Sequence, residues 1–145
     1  MITVRKTTIN DLDAIAYLFD AYRVFYKQKS DKKSARAFLK ARFEQQQSVI
    51  FIAEKAGVAV GFTQLYPMFS SVSMQEMYVL NDLYVNENER GQGIGEKLLI
   101  AAQEYAKANN LKGLTLETAS DNPAQKLYER LGWSKDESYH YFWKA

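Results

Sequence analysis

Arg90-Gly91-Gln92-Gly93-Ile94-Gly95 is the stretch on which the reading of this chain turns. It follows the apolar run Leu83-Tyr84-Val85 and opens a run of helical character that begins at about Gly93. Glycine accepts backbone conformations that other residues resist, and it has no Cβ to hold a ligand off the main chain. A strand ending at Val85, a polar turn and a helix opening at the glycines bring free amides and the positive end of a helix dipole to one place. Such a place attracts an anion, and Arg90 adds a fixed positive charge. Two other phosphate-binding patterns do not fit. A dinucleotide fingerprint needs a glycine where Glu96 stands, and a P-loop needs lysine followed by serine or threonine. On spacing alone, a glycine turn that only caps its helix is the competing reading.

Outward from this turn, Gln75 to Val85 has the β-branched and aromatic content of a long strand. Val49 to Glu54 and Val58 to Leu65 read as two more strands, joined at Ala56-Gly57. Tyr66 to Ser73 reads as a loop. Beyond the glycines, Ile94, Leu98, Ala102 and Tyr105 recur at helical spacing over Gly93 to Asn109. Lys112 to Thr118 is a predicted strand, and Pro123 to Leu131 a short helix that Gly132 ends. Trp133 and Tyr139 to Trp143 supply a final strand or pair. Toward the amino terminus, Ile2 to Lys6 alternates as a strand does. Thr8 or Asn10 can cap a helix bearing Leu12, Ile15, Ala16, Phe19 and Tyr22 on its apolar face. A polar stretch, Lys27 to Lys33, separates it from a second amphipathic helix with Phe38, Leu39, Arg42 and Phe43. The order predicts one α/β (mixed α+β) domain, residues 1–145, with a twisted mixed sheet of about six to seven strands and about four flanking helices.

Composition narrows the chemistry. The 145 residues are 47% hydrophobic and 25% charged, as in ordinary globular domains. Nineteen basic against 17 acidic residues leave a formal charge of +2, which makes no general case for nucleic acid. Without cysteine there is no disulfide, thiolate metal site or cysteine nucleophile, and one histidine, His140, cannot build a histidine metal cluster. No metal is expected. The first residues lack the apolar core of a secretion signal, and no run reaches the ~18 apolar residues of a membrane span. The expectation is a cytoplasmic protein with no membrane or nucleic acid partner, assembled as a homodimer.

Arg90 to Gly95 resembles the Arg/Gln-x-x-Gly-x-Gly/Ala signature of the GNAT superfamily of N-acetyltransferases. The preceding strand, the following helix and the later Asn122 to Tyr128 segment fall in that family's order, so the resemblance covers nearly the whole chain. Leu80 to Val85 and Asn122 to Trp133 look most like diamine and related small-amine acetyltransferases. They look equally like the histone-and-polyamine subgroup, with its Phe25-Tyr26 type motif and the Gly61 to Ser71 stretch. The resemblance implies acetyl-CoA as co-substrate, lying where the strand ending at Val85 splays from a parallel neighbour near Glu117-Thr118. It implies that main-chain groups of Leu83, Tyr84 and Val85 hold the pantetheine and thioester. Arg90, Gly91, Gln92, Gly93, Ile94, Gly95 and Glu96 would surround the pyrophosphate. Asn122 would reach the pantetheine arm, and Tyr128 would lie near the sulfur. Glu96 after the last glycine, and Asn81 where some diamine enzymes carry an acid, are the departures.

Direct acetyl transfer needs a neutral amine, a polarised carbonyl and a proton for the leaving thiolate. Tyr128, with an ordinary pKa near ~10, is the candidate acid; a core tyrosine beside Ala124, Leu127 and Leu131 is the alternative. Asp82 alternates with Leu80 and Tyr84, so its carboxylate stands among apolar side chains, where burial raises its pKa. It is a candidate base or a substrate-orienting charge, with Glu76, Glu117 and water as rivals. His140 reads as structural. Asp82 and Glu76, with Tyr22, Tyr26 and Tyr66, are candidates to hold a small cationic amine by charge and by aromatic faces. Other readings are transfer to a protein lysine, histone or amino acid, or a non-catalytic acetyl-CoA sensor. A binding module built on Lys27, Lys29, Lys32 and Lys33 is a third class, although such a run usually forms a solvated loop.

Overall fold

A computed structural model describes all residues, Met1–Ala145. Strand β1 (Ile2–Lys6) is followed by a 3-10 turn, helix α1 (Leu12–Phe25) and helix α2 (Lys32–Glu44). Strands β2 (Val49–Lys55), β3 (Val58–Ser70) and β4 (Gln75–Val85) come next, then α3 (Ile94–Ala108), β5 (Leu114–Thr115) and α4 (Gln125–Arg130). The sheet runs β1-β2-β3-β4-β5, antiparallel up to β4 and parallel between β4 and β5.

The segments that start the first two helices are fixed locally. Thr8 caps the 3-10 turn, with Asp11 reaching back to the Thr8 amide at 2.9 Å. Asp31 accepts from the Ser34 amide at 3.0 Å and starts α2. One sheet face carries Ile50, Ile52 and Phe62 against Ile15, Leu18, Phe19 and Leu39 of α1 and α2. The other carries Phe51, Val60, Leu65 and Leu80 against Leu98, Leu99 and Ala102 of α3. The alternation of side chains along each strand feeds both cores at once.

The sheet has five strands, below the six to seven that the sequence predicts. Tyr66 to Ser70 is strand, not loop, so β3 and β4 form a long ribbon closed by a turn at Ser71 to Met74. Pro67 is tolerated because β2 stops pairing at Leu65, leaving this part of β3 as a sheet edge. The predicted strand Lys112 to Thr118 is ladder-bonded only at Leu114 and Thr115, and the last helix is six residues long. Residues 132–145 form no strand, contrary to the reading of Trp133 and Tyr139 to Trp143. Beyond the two residues of β5 the chain leaves the sheet, so β5 offers no edge long enough for them to join.

Candidate active site

The glycine turn leads from β4 through a 3-10 turn (Glu87–Glu89) into α3. Gly91 and Gly93 have φ of +79° and +77°, in the left-handed region that favours glycine. A bond from the Lys97 amide to the Gly93 carbonyl, at 3.1 Å, starts the helix. The amides of Ile94, Gly95 and Glu96 are therefore the unpaired donors of its first turn. A Cβ built at Gly91, Gly93 or Gly95 meets no atom within 4 Å, so the space over the turn is open.

The charges around it are arranged. Glu96 is bound through both oxygens by Arg130 of α4, at 2.9 and 3.2 Å, which holds its carboxyl below the usual range. The pair answers the one negative charge of the first turn and ties α4 to α3. Arg90 donates from Nε to the Val85 carbonyl at 2.9 Å and lies over the rings of Phe25 and Tyr84, at 5.1 and 5.6 Å. Gln92 is held by Glu89 and Lys55, at 3.0 and 3.1 Å.

Pairing between β4 and β5 ends at Val79 and Thr115. Beyond that point the β4 edge has no strand beside it, and Leu83, Tyr84 and Val85 border a cavity of about 1130 Å³ that runs to the glycine turn. This exceeds the ~300–1,000 Å³ of common small-ligand pockets. Asn122 lines it, but its side chain is engaged. Nδ2 donates to Thr118 Oγ1 at 2.8 Å, and Oδ1 accepts from the Ala124 amide at 2.9 Å. Tyr128 forms the wall between this cleft and a smaller cavity of about 550 Å³, with Trp133 6.2 Å away. Burial pushes its phenol up, against a smaller opposite pull from Thr118, so the Tyr128 phenol is neutral at pH 7.

Asp82 owes its position to a break in the strand. Gln64 pairs with Asp82 but Leu65 pairs with Leu80, so Asn81 is an extra residue, a β-bulge. Leu80 consequently faces the α3 core while Asp82 and Tyr84 face α1, which corrects the expectation that all three share one face. The Thr63 hydroxyl, donating to the Asp82 carbonyl at 2.8 Å, fixes the bulge. Asp82 is 2% exposed. Gln64 Nε2 and Asn81 Nδ2 donate to its two oxygens, and the Tyr22 hydroxyl close by donates to the Asn81 carbonyl at 3.5 Å. Burial dominates and pushes the carboxyl up. Asp82 does not itself line the cleft; Tyr22 and Asn81 do.

Tyr26 lines the cleft beside Tyr22, ring centroids 5.0 Å apart. Glu76 does not join them: it pairs with Phe69 far down β4, and the bulge puts it on the opposite face from Asp82. Glu117 lines the cleft, and its Oε1 lies 3.1 Å from His140 Nδ1. Gln64 and Arg130 carry no motif in the sequence that marks them for the site. For Gln64 a signal existed, a glutamine inside the apolar run Val60 to Leu65.

A strand opened by a bulge, a cleft between splayed parallel strands and an amide-lined helix start define an acyl-coenzyme A-binding acyltransferase. The profile of the Acetyltransferase (GNAT) family matches residues 14–133, and the chain belongs to that family. It is similar to the uncharacterized N-acetyltransferase YhfO of Bacillus subtilis (strain 168), 51% identical over 95% of this chain and 94% of that one. A crystal structure of a probable acetyltransferase superposes with a TM-score of 0.91 at 36% identity, covering 99% and 97% of the two chains. The fold is also that of aminoglycoside N-acetyltransferase AAC(6')-Iy in complex with CoA, TM-score 0.81 at 19% identity, covering 99% and 95%. The protein is an acetyl-CoA-dependent N-acetyltransferase. The open glycine turn with its unpaired amides and the long cleft fit that co-substrate.

Proposed function

We propose that the protein acetylates a small primary amine, with Tyr128 as proton donor and Asp82 as the proton acceptor, reached through Tyr22. Acetyl-CoA supplies the acetyl group as a thioester; a bond forms from the amine nitrogen to the acetyl carbon as the carbon–sulfur bond breaks. Amides of Ile94, Gly95 and Glu96, with Arg90, would hold the pyrophosphate, and main-chain groups of Leu83 to Val85 the pantetheine. The Tyr22 hydroxyl takes a proton from the ammonium as it passes its own to Asp82 Oδ, leaving neutral amine at the cleft. Tyr128 Oη holds the proton that the leaving sulfur needs.

The observation that carries this reading is Asp82, a nearly inaccessible carboxylate set behind Tyr22, whose ring lines the cleft and whose hydroxyl donates to the Asn81 carbonyl at 3.5 Å. Burial raises its affinity for a proton, which suits a base more than a surface ion pair does. Tyr22 and Tyr26 offer ring faces to an ammonium group. A homodimer is part of the same proposal, supported by the exposed aromatics Tyr139, Tyr141, Phe142 and Trp143.

An acceptor screen with acetyl-CoA, reading free thiol and product mass, tests the function. Transfer to free amines, lost in Tyr22→Phe and Asp82→Asn, is expected. Efficient transfer to lysine peptides and none to free amines would refute the small-amine reading.

A further inference from the structure

The apolar stripe of α1 runs past the core it packs into. Ile15, Leu18 and Phe19 are buried against the sheet and α2, and Tyr22, Phe25 and Tyr26 continue the same face at spacings of three and four residues. Phe25 and Tyr26 are 58% and 60% exposed, and both line the cleft. The bulge in β4 turns Tyr84 toward them. Tyr22 meets Tyr26 at 5.0 Å and Tyr26 meets Phe25 at 5.3 Å. Phe25 meets Tyr84 at 6.5 Å, and Tyr84 meets Tyr22 at 6.3 Å, which closes a circuit of four rings. All four line the cleft, so together they form one aromatic wall. The Tyr26 ring stands at 63° and 83° to its two neighbours. Edges and faces therefore alternate along the wall, and a further ring can pack on it edge to face.

The charges at this wall oppose a polycation. The Arg90 guanidinium lies over Phe25 and Tyr84, so those two rings already hold a cation. Three carboxylates line the cleft, and each has a basic neighbour. Lys55 binds Glu89 at 2.9 Å, Arg130 binds Glu96 at 2.9 Å, and Glu117, on the β5 side, lies 3.1 Å from His140. Asp82, behind Tyr22, answers one ammonium group, the one that reacts. A second ammonium on the same molecule would face the rings and Arg90, desolvated and beside a like charge.

We propose that the acceptor is a monoamine bearing an aromatic ring, with that ring packed on the wall of Tyr22, Phe25, Tyr26 and Tyr84 and the amine at the Tyr22 hydroxyl. An aromatic ring brings apolar area to bury, and its edge and face suit neighbours set at these angles. This inference rests on the proposed transfer to a small amine and narrows it.

The test uses the full chain with acetyl-CoA and two matched pairs: phenethylamine against ethylamine, and pentylamine against cadaverine, which adds a second ammonium. The kcat/KM for phenethylamine should exceed that for ethylamine at least ~10-fold, the scale of burying one aromatic side chain. Pentylamine should exceed cadaverine. Tyr26→Leu removes a ring at an exposed position and keeps apolar bulk. It should narrow the phenethylamine-to-ethylamine ratio by ~3- to 10-fold, the scale of aromatic pairing beyond area, and Tyr26→Phe should keep the ratio. Loss of fold lowers both rates alike, so a narrowed ratio reports on the ring. Three results would each overturn the inference and leave the proposed function standing: phenethylamine no better than ethylamine, cadaverine as good as pentylamine, or a ratio unchanged in Tyr26→Leu. Acetyl-CoA binding with no transfer to any of the four amines would overturn both.

Discussion

At the scale of single residues, the proposed reaction makes opposite demands on Tyr128 and Asp82, and burial serves both. It keeps the Tyr128 phenol protonated, as a donor must be, and makes the Asp82 carboxylate a better acceptor. Tyr128→Phe keeps the ring against Trp133, so acetyl-CoA affinity by calorimetry should hold while turnover falls roughly 10²–10⁴-fold. Unchanged turnover would make Tyr128 a packing residue. Asp82 also predicts a stability signature. Its folded-state pKa is raised, so the folded chain binds the proton more tightly than the unfolded chain does. Its contribution to stability is full below the unfolded value of ~3.9 and is lost as pH rises through the higher folded value. Asp82→Asn does not titrate, so the melting temperature of variant minus wild type should become more positive from pH 4 to pH 8. A difference that stays flat would mean that burial does not perturb Asp82. The same variant should lose transfer activity, a case of stability given up at a working site.

At the scale of elements, the start of α3 was the most legible part of the sequence and the bulge in β4 the least. Gly91, Gly93 and Gly95 announce their geometry because few residues other than glycine take positive φ or leave open space above a turn. The bulge has no such mark. Leu80, Asp82 and Tyr84 alternate as a regular strand would, and only pairing with Gln64 and Leu65 of β3 reveals Asn81 as extra. Pairing is a long-range fact, so the strand pattern alone groups Glu76 with Asp82 and gives Gln64 no partner. A prediction belongs to the helix start. Gly93→Asp places a carboxylate over the unpaired amides, where it would oppose the phosphates and occupy the space they need. Acetyl-CoA affinity should fall at least ~10-fold, whereas Gly93→Asn, of similar size and tolerant of positive φ, should lose less. Equal affinities in wild type and Gly93→Asp by calorimetry would remove the turn from the binding site.

At the scale of the whole molecule, the core stops before the chain does. Both hydrophobic clusters are complete by Trp133, and no residue from 134 to 145 is buried. The aromatic content of Tyr139 to Trp143 predicts a strand here. Composition, however, cannot supply the neighbouring edge, and β5 ends at Thr115. Instead Tyr139, Tyr141, Phe142 and Trp143 are 83–90% exposed, held to the body by the exposed His140–Glu117 pair, a type of contact that contributes little. If these rings are the contact surface of the proposed homodimer, then removing residues 139–145 should abolish association without disturbing either core. Sedimentation should show a dimer for the full chain and a monomer for the truncated one. Because association adds stability by mass action, the melting temperature of the full chain should rise with protein concentration and that of the truncated chain should not. Acetyl-CoA affinity should be alike in both, since Tyr139 to Ala145 contributes nothing to the cleft that ends at the glycine turn. A full chain that sediments as a monomer up to ~100 μM, a concentration above the Kd of ordinary stable interfaces, would remove the homodimer from the proposal.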